Sequence, residues 1–421
     1  MQRIIALIIS LGVVVGALLA LAYFFFSQSY FLPWNQKPNY TFLDQPLSVT
    51  QQEDFEIDPT VQGSLEDQIV IQQVDVDYTD IDSALQEEVA PETIVANFYD
   101  KLQKPRGMTL SPYGDLVVGD IKSDAVYVLI DEDGDFTADT KITLIDGLNN
   151  PHSVFFYGKD LYIGETDKVR VLYNVYEGYG FDANRVIIDN LTDASGHFTR
   201  TVRVIDDKLY VSVGSSCNTC IESNENRATV LRYNLDGTGK EIFAQGLRNT
   251  VDFEKSPFDG KIYGVENGRD WLGDLLPAEE VNVLTQGSHY GWPFCYSNQV
   301  YDEEFGGDFD CSRTQGPVWE MQAHTAPLGI TFYNGNMFPE WYGDALITQH
   351  GSWNSTVPVG YKVVRLDFDE QNNIIGQEDL LTIFLRGETV RGRPVDVLVG
   401  SKGEIYFSDD FAGRIYVMYK Q

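Results

Sequence analysis

Between His197 and Asp270 the chain concentrates groups that move protons and hold anions. His197 is followed three residues later by Arg200, an Arg248-Asn249 pair stands in FAQGLRNTVDF, and a Gly268-Arg269-Asp270 turn closes KIYGVENGRD. A neutral imidazole is a general base near pH 7. Guanidinium groups hold carboxylates and phosphates through paired hydrogen bonds. The segment VENGRDWLGDLLPAEE adds backbone carbonyls at a turn with carboxylates nearby, the hard-oxygen surroundings that suit calcium. Such a set could bind a small anion and withdraw a proton beside it.

The elements that must position these groups repeat. Beyond Glu92 the sequence alternates apolar and polar residues in short runs separated by Gly, Asp and Asn turns, the pattern of strands. KPRGMTLSPYGDLVVGD, NPHSVFFYGKDLYIGETD, FTRTVRVIDDKLYVSVGS, GLRNTVDFEKSPFDGKIYGVENG, APLGITFYNG with GDALITQHG, and GRPVDVLVGSKGEIYFSDD share one plan. Each has a polar lead residue, a short apolar strand, a turn, a second strand ending in small residues, and usually a third strand. The first four leads, Arg106, His152, Arg200 and Arg248, are spaced by 46, 48 and 48 residues, close to the length of a four-stranded propeller blade. The gaps then stretch to Ala326 and Arg393, leaving room for insertions such as residues 271 to 323. We therefore expect an all-β fold, a six-bladed β-propeller over residues 92 to 421. The strand in ETIVANFY should complete the last blade and leave no sheet edge open.

In a propeller the residue leading into each innermost strand stands at the mouth of the central channel. Arg106, Arg200, Arg248, Arg391 and Arg393 occupy or adjoin those positions in a chain whose acids outnumber its bases by 63 to 30. Their convergence implies a ligand with several carboxylates or phosphates; the competing arrangement pairs each Arg with an Asp of a neighbouring blade. All 5 histidines, His152, His197, His289, His324 and His350, fall at or near loop and strand-end positions. DEDGDFTAD at 131 to 139 is acidic, but its Gly is misplaced for an EF-hand loop, and it reads as a hairpin turn.

A formal charge of −33 argues against nucleic acid or an anionic membrane surface as partner. Cys217 pairs most simply with Cys220, and Cys295 with Cys311. The CxxC is followed by Ile221 rather than His, so it is not a haem attachment signal, and no second Cys/His pair stands at zinc-finger spacing. Ile4 to Phe26 form an apolar run preceded by Arg3, long enough to cross a bilayer as an anchor, while Ala20-Leu21-Ala22 would serve a cleaved signal peptide. Either way the remainder is expected outside the cytoplasm, where disulfides persist. The expected division is an anchor or signal peptide over residues 1 to 30, an acidic linker over 31 to 91, and the propeller.

The stretches NPHSV, HFTRTV, LYVSVGSSCNTC, GLRN, ENGRDWLGD, GSHYGWPFC, HTAPLGITFY, HGSWNS and GRPVDV, in this order from about Pro105 to Tyr419, resemble the soluble, six-bladed sugar dehydrogenases that depend on pyrroloquinoline quinone (PQQ). This is the aldose, glucose and sorbosone dehydrogenase family, and SCNxC and HGSWN point to its sorbosone dehydrogenase-like branch. The resemblance implies oxidation of a sugar's anomeric hydroxyl, with PQQ and calcium as cofactors and electrons passed to an external acceptor, a quinone or a cytochrome. It implies His197 as base and Arg248 with Asn249 at the quinone oxygens and substrate. It further implies the carbonyls of Gly268 and Arg269 as calcium ligands, and Arg391 and Arg393 as partners of the cofactor carboxylates. Arg106, Arg200 and His350 join the expected cofactor contacts from their positions. Two departures stand out. Glucose-type enzymes carry a Lys near HGSWN, where this chain has His350 and Trp353, and an Asp that orients the base, where this chain has Ser215. The alternatives are a calcium-dependent, lactonase-like hydrolase and a propeller that only binds.

Overall fold

Short runs that are apolar at every position need cover on both faces, and a ring of radiating sheets gives each sheet two neighbours. In the computed structural model, which describes residues 93–192 and 195–420, six sheets, each with a four-stranded antiparallel core and one extended by a fifth strand, form that ring. From the innermost strand outward, blade 1 is Pro105–Leu110, Leu116–Asp120, Ala125–Ile130 and Thr140–Ile145. Blade 2 is Ser153–Tyr157, Asp160–Gly164, Val169–Tyr173 and Ala183–Ile188, and blade 3 is Val202–Ile205, Lys208–Val213, Thr229–Tyr233 and Glu241–Gln245. Blade 4 is Thr250–Lys255, Ile262–Glu266, Glu279–Leu284 and Trp319–Met321, and blade 5 is Pro327–Phe332, Ala345–Gln349, Lys362–Phe368 and Ile374–Leu381. Blade 6 takes Pro394–Val399, Ile405–Asp409 and Arg414–Lys420 from the end of the chain and Thr93–Tyr99 from before blade 1. The last pairing, Thr93 opposite Lys420 through Tyr99 opposite Ile415, closes the ring as the ETIVANFY strand led us to expect.

The core is divided as the ring dictates. Six buried apolar clusters each straddle one interface between adjacent blades, for example Val169, Val171 and Ile188 of blade 2 against Val202, Leu209 and Val211 of blade 3. Second strands such as Leu116–Asp120 are therefore buried along their whole length, whereas the outer strand Ala183–Ile188 is mostly exposed.

The small residues that end the second strands are explained by the next blade. A Cβ on Gly119 would lie 2.5 Å from the carbonyl oxygen of Pro151, and one on Gly164 would run into the carbonyl of Arg200. Each lead segment is thus laid directly on the preceding blade's backbone. Because backbone cannot swing aside as a side chain does, Gly119→Ala should destabilise the protein by about 2 kcal/mol. A urea midpoint equal to wild type would refute this close fit.

Residues 271 to 323, expected as an insertion, are only partly one. They supply the third and fourth strands of blade 4, and Ser288–His289 adds in parallel to the outer strand of blade 3. The true addition is the hairpin Cys295–Tyr296 with Val300–Tyr301, tied by the Cys295–Cys311 disulfide. The second disulfide joins Cys217 to Cys220, so both expected pairings hold. DEDGDFTAD is the turn between the last two strands of blade 1. Among the described residues no helix is long and apolar enough to cross a membrane. The run Ile4 to Phe26 and the acidic stretch to residue 91 lie outside the described residues.

Candidate active site

The loop that leads into blade 3 carries His197, and the end of that blade's second strand fixes its ring. Nδ1 lies 3.0 Å from the Ser215 hydroxyl and 3.1 Å from the Ser215 carbonyl oxygen. A carbonyl only accepts, so Nδ1 bears the proton. The Ser215 hydroxyl can accept as well, because its own hydrogen goes to the Cys217 carbonyl at 2.6 Å. This assignment leaves the lone pair on Nε2. Sequence reasoning marked Ser215 only as the place of a missing Asp; in the structure its hydroxyl and carbonyl orient the His197 imidazole.

Burial pushes the His197 imidazole well below its usual range, and the charge of Arg248, followed by those of Arg227 and Arg200, pushes it further. The ring is therefore neutral and able to accept a proton in mildly acidic solution. If His197 is the base, the acid limb of kcat/KM should fall below about pH 6.5, the ordinary imidazole value. A limb at or above that pH would contradict the environment described here.

Arg200 is not at the mouth. Its side chain is turned inward at 0 % exposure and donates to the carbonyls of His197 at 2.9 Å and Thr199 at 2.6 Å, and to the Thr192 hydroxyl. Arg227, which no sequence pattern singled out, also donates to the His197 carbonyl, at 3.2 Å. The two guanidinium groups brace the loop from behind.

Arg248 and Asn249 lead into blade 4, beside His197. A Cβ on Gly214 would meet the Asn249 side-chain oxygen at 2.5 Å and the His197 Cβ at 2.7 Å, so the two residues close over that glycine. Arg248 pairs with Asp270 at 2.9 Å and donates to the carbonyl and side-chain oxygens of Asn218, both at 3.0 Å. The Asp270 carboxylate also accepts from the Asn354 amide at 2.8 Å, which links blade 4 to blade 5.

The carbonyls of Gly268 and Arg269 accept no hydrogen bond from the described residues. Behind them Glu279 accepts from the Gly268 amide at 2.7 Å and from the Ala326 amide at 3.2 Å, and Glu266 accepts from the Asn249 amide at 2.8 Å. Burial raises Glu266 to about 7 and Glu279 to about 8. Backbone oxygens without protein donors, close to carboxylates, fit a hard cation such as calcium. The Arg269 side chain turns away to Asp302 and Glu304.

Residues 88–421 match the TrAA12-like family model. The chain belongs to the TrAA12-like family. An uncharacterized protein of Borreliella burgdorferi is 34% identical over 336 residues, covering 76% of this chain and 86% of the relative. The pyrroloquinoline quinone-dependent sugar dehydrogenase of Hypocrea jecorina is 23% identical over 376 residues, covering 75% of this chain and 85% of that protein. A solved calcium structure of the Trichoderma reesei carbohydrate-active enzyme family AA12 superposes with a TM-score of 0.68 at 23% identity, over 79% of this chain and 96% of that one. The last likeness establishes the propeller fold.

In this TrAA12-like chain the other expected cofactor contacts form a second cluster where blades 5, 6, 1 and 2 meet. Arg106 is buried, paired with Asp410 at 2.7 Å, and its Nε donates to Nδ1 of His152 at 3.2 Å. Nε2 of His350 lies 2.8 Å from the other Asp410 oxygen. Burial, with the charges of Arg393 and Arg106, holds His350 at about 3. The ring is neutral near pH 7 and carries its proton on Nε2, so it cannot replace a Lys as a counter-charge. Arg106 follows the competing arrangement, with its charge met by the neighbouring blade's Asp. Among the described residues Arg393 has no carboxylate partner; it donates to the carbonyls of His350 at 3.2 Å and Gly351 at 2.9 Å. Arg391, two residues earlier and half-buried, anchors its amide on the Phe384 carbonyl at 2.8 Å.

Deeper along the axis Arg203 pairs with Asp252 at 2.7 Å, and Asp396 accepts from the Met108 amide at 2.7 Å. These groups line the channel between the innermost strands. At the rim Trp271, 49% exposed, meets Trp353 edge to face with ring centres 5.2 Å apart. The second Arg of RTVRV and the final Asp of FSDD were the only sequence signals for the axial pair and for Asp410, and neither differs from an ordinary strand residue.

Proposed function

We propose that this protein is a PQQ- and calcium-dependent sugar dehydrogenase that oxidises the anomeric hydroxyl of aldose-type sugars or a related sugar aldehyde. The reading is supported above all by the His197 imidazole, whose Nε2 is left as acceptor by the Ser215 contacts, beside Asn249 and Arg248. The PQQ dependence of the Hypocrea jecorina relative points the same way. When bound, the quinone accepts hydride and calcium acts as a Lewis acid. Nε2 of His197 takes the anomeric hydroxyl proton as the adjacent C–H bond gives up hydride. Arg248 and Asn249 orient the reacting oxygens, and the Asp270 contact limits the sweep of the Arg248 side chain. Gly268 and Arg269 offer their carbonyls to calcium, and Arg393 with Arg391 face the quinone carboxylates. Arg106, Arg200 and His350 act as supports, because their polar groups are engaged within the protein.

The lactonase-like alternative needs carboxylates and amides converging at the mouth. The axial carboxylates are instead tied to Arg203 and to the backbone amides of Met108 and Ile330. Placement outside the cytoplasm, with the N-terminal segment as anchor or signal, is supported by the two disulfides. Electrons then pass to an external quinone or cytochrome. The sorbosone dehydrogenase-like placement rests on SCNxC and HGSWN alone. Adding PQQ and calcium to the purified chain and following dye reduction with a panel of aldoses tests the reading. Quinone binding with sugar-dependent reduction is expected, and neither binding nor reduction would overturn it.

A further inference from the structure

A short segment that follows the second strand of blade 3 touches both halves of the proposed site. The Ser215 hydroxyl and carbonyl hold Nδ1 of His197, and that hydroxyl donates to the Cys217 carbonyl. One residue later the Asn218 side-chain oxygen accepts from Arg248 at 3.0 Å and from the Asp270 amide at 2.8 Å, while its NH2 donates to the Asp270 carbonyl at 3.2 Å. The Asn218 carbonyl accepts from Nε of Arg248 at 3.0 Å and from the buried Trp292 indole at 3.2 Å. The bridge from Cys217 to Cys220 encloses only Asn218 and Thr219. Ser216 is pinned on the other side, its amide and hydroxyl donating to Glu222 at 2.6 and 2.8 Å.

We propose that the Ser215–Cys220 segment, closed by its disulfide, is a clamp that fixes the His197 imidazole and the Arg248 guanidinium relative to each other, with Asn218 as the principal positioning residue. The inference rests on the assignment of His197 as base and Arg248 as its neighbour. A bridge that only stabilised the fold would not require the enclosed amide to spend its hydrogen bonds on Arg248 and the Asp270 turn. A short covalent ring leaves Asn218 little freedom, and a displacement of about 1 Å in such a group lowers turnover by about a hundredfold. Around the imidazole stand Arg248 from blade 4 and Arg227 and Arg200 from behind, so releasing Arg248 removes the positive charge that most depresses proton uptake.

The test uses the full chain loaded with PQQ and calcium. In Asn218→Leu and in the double variant C217S/C220S, kcat should fall by about ten- to a hundredfold, with the bound quinone's absorbance retained. The acid limb of kcat/KM should move to higher pH, a change that lost stability alone would not give. C295S/C311S, which removes the disulfide of the outer hairpin, should leave kcat and the acid limb unchanged. Ser215→Ala, which deletes one acceptor of the Nδ1 proton and leaves the Arg248 charge in place, should lower kcat and move the limb the opposite way, to lower pH, and it serves if the double variant does not fold. In the cofactor-free protein the His197 ring resonance, followed by NMR, should titrate nearer the ordinary imidazole value in Asn218→Leu than in wild type. Wild-type kcat, acid limb and titration in Asn218→Leu and Ser215→Ala would overturn the clamp. Full activity in His197→Ala would instead overturn the site reading on which it rests.

Discussion

Replacing His197 with Ala should lower kcat by about 10²- to 10⁴-fold, the range for loss of a positioned general base, while the quinone still binds. Both halves of that expectation follow from the ring's surroundings. Nδ1 is engaged with Ser215 on the protein side, so the atom lost at the mouth is the Nε2 acceptor. The loop itself is held through backbone: the His197 amide donates to the Ser215 carbonyl at 3.0 Å, and the His197 carbonyl accepts from Arg200 and Arg227. An alanine keeps all of those bonds. The variant should therefore fold, bind cofactor and fail at proton removal. Added imidazole would be expected to restore part of the rate, and turnover within threefold of wild type would show that the proton leaves by another route.

How much of this was legible depended on how far each feature reaches along the chain. The blades could be read because each is local: a lead residue, two or three alternating strands and their turns recur within one repeat, as Arg106, His152, Arg200 and Arg248 show. The closing strand Thr93–Tyr99 could be inferred because a ring otherwise leaves an edge. His197, Arg248 and Asn249 were found together because motif and repeat position agreed. The fate of each guanidinium was hidden, because it depends on groups brought in by the ring. Arg106 meets Asp410, 304 residues away, while Arg200, identical in repeat position, turns inward to Thr192 and its own loop. Lead position specifies where a Cα stands at the mouth, and neighbouring blades decide where the side chain points. Ser215 escaped for a related reason, since a hydroxyl that both donates to Cys217 and accepts from His197 looks in sequence like any strand-end serine.

Asp410→Ala is the substitution expected to damage stability most, and it separates structural charge from ligand-facing charge at the mouth. The Asp410 side chain is 3% exposed, with one carboxylate oxygen on Arg106 and the other on His350. Its removal leaves the Arg106 guanidinium buried against the neutral ring of His152, itself held well below the usual imidazole range by burial and by Arg106. Breaking a buried pair from one side costs about 3–5 kcal/mol, whereas replacing both partners with apolar groups of similar volume is often neutral. Asp410→Ala alone should thus lower the urea unfolding free energy by that amount, and Arg106→Met combined with Asp410→Leu should recover much of it. The pH dependence has a definite sign. His350 has a depressed folded value of about 3, so its contribution is present above the unfolded value of about 6.5 and fades as pH falls between the two. Asp410 is depressed as well, by His350 and Arg106 against the opposing effect of burial, so its contribution fades below the ordinary carboxylate range. Wild type should lose stability through both windows, and Asp410→Ala should lack the more acidic loss. If the single variant unfolded at the wild-type midpoint, Asp410 would not be needed to balance Arg106, and that guanidinium would return to the set of groups able to meet an anionic ligand.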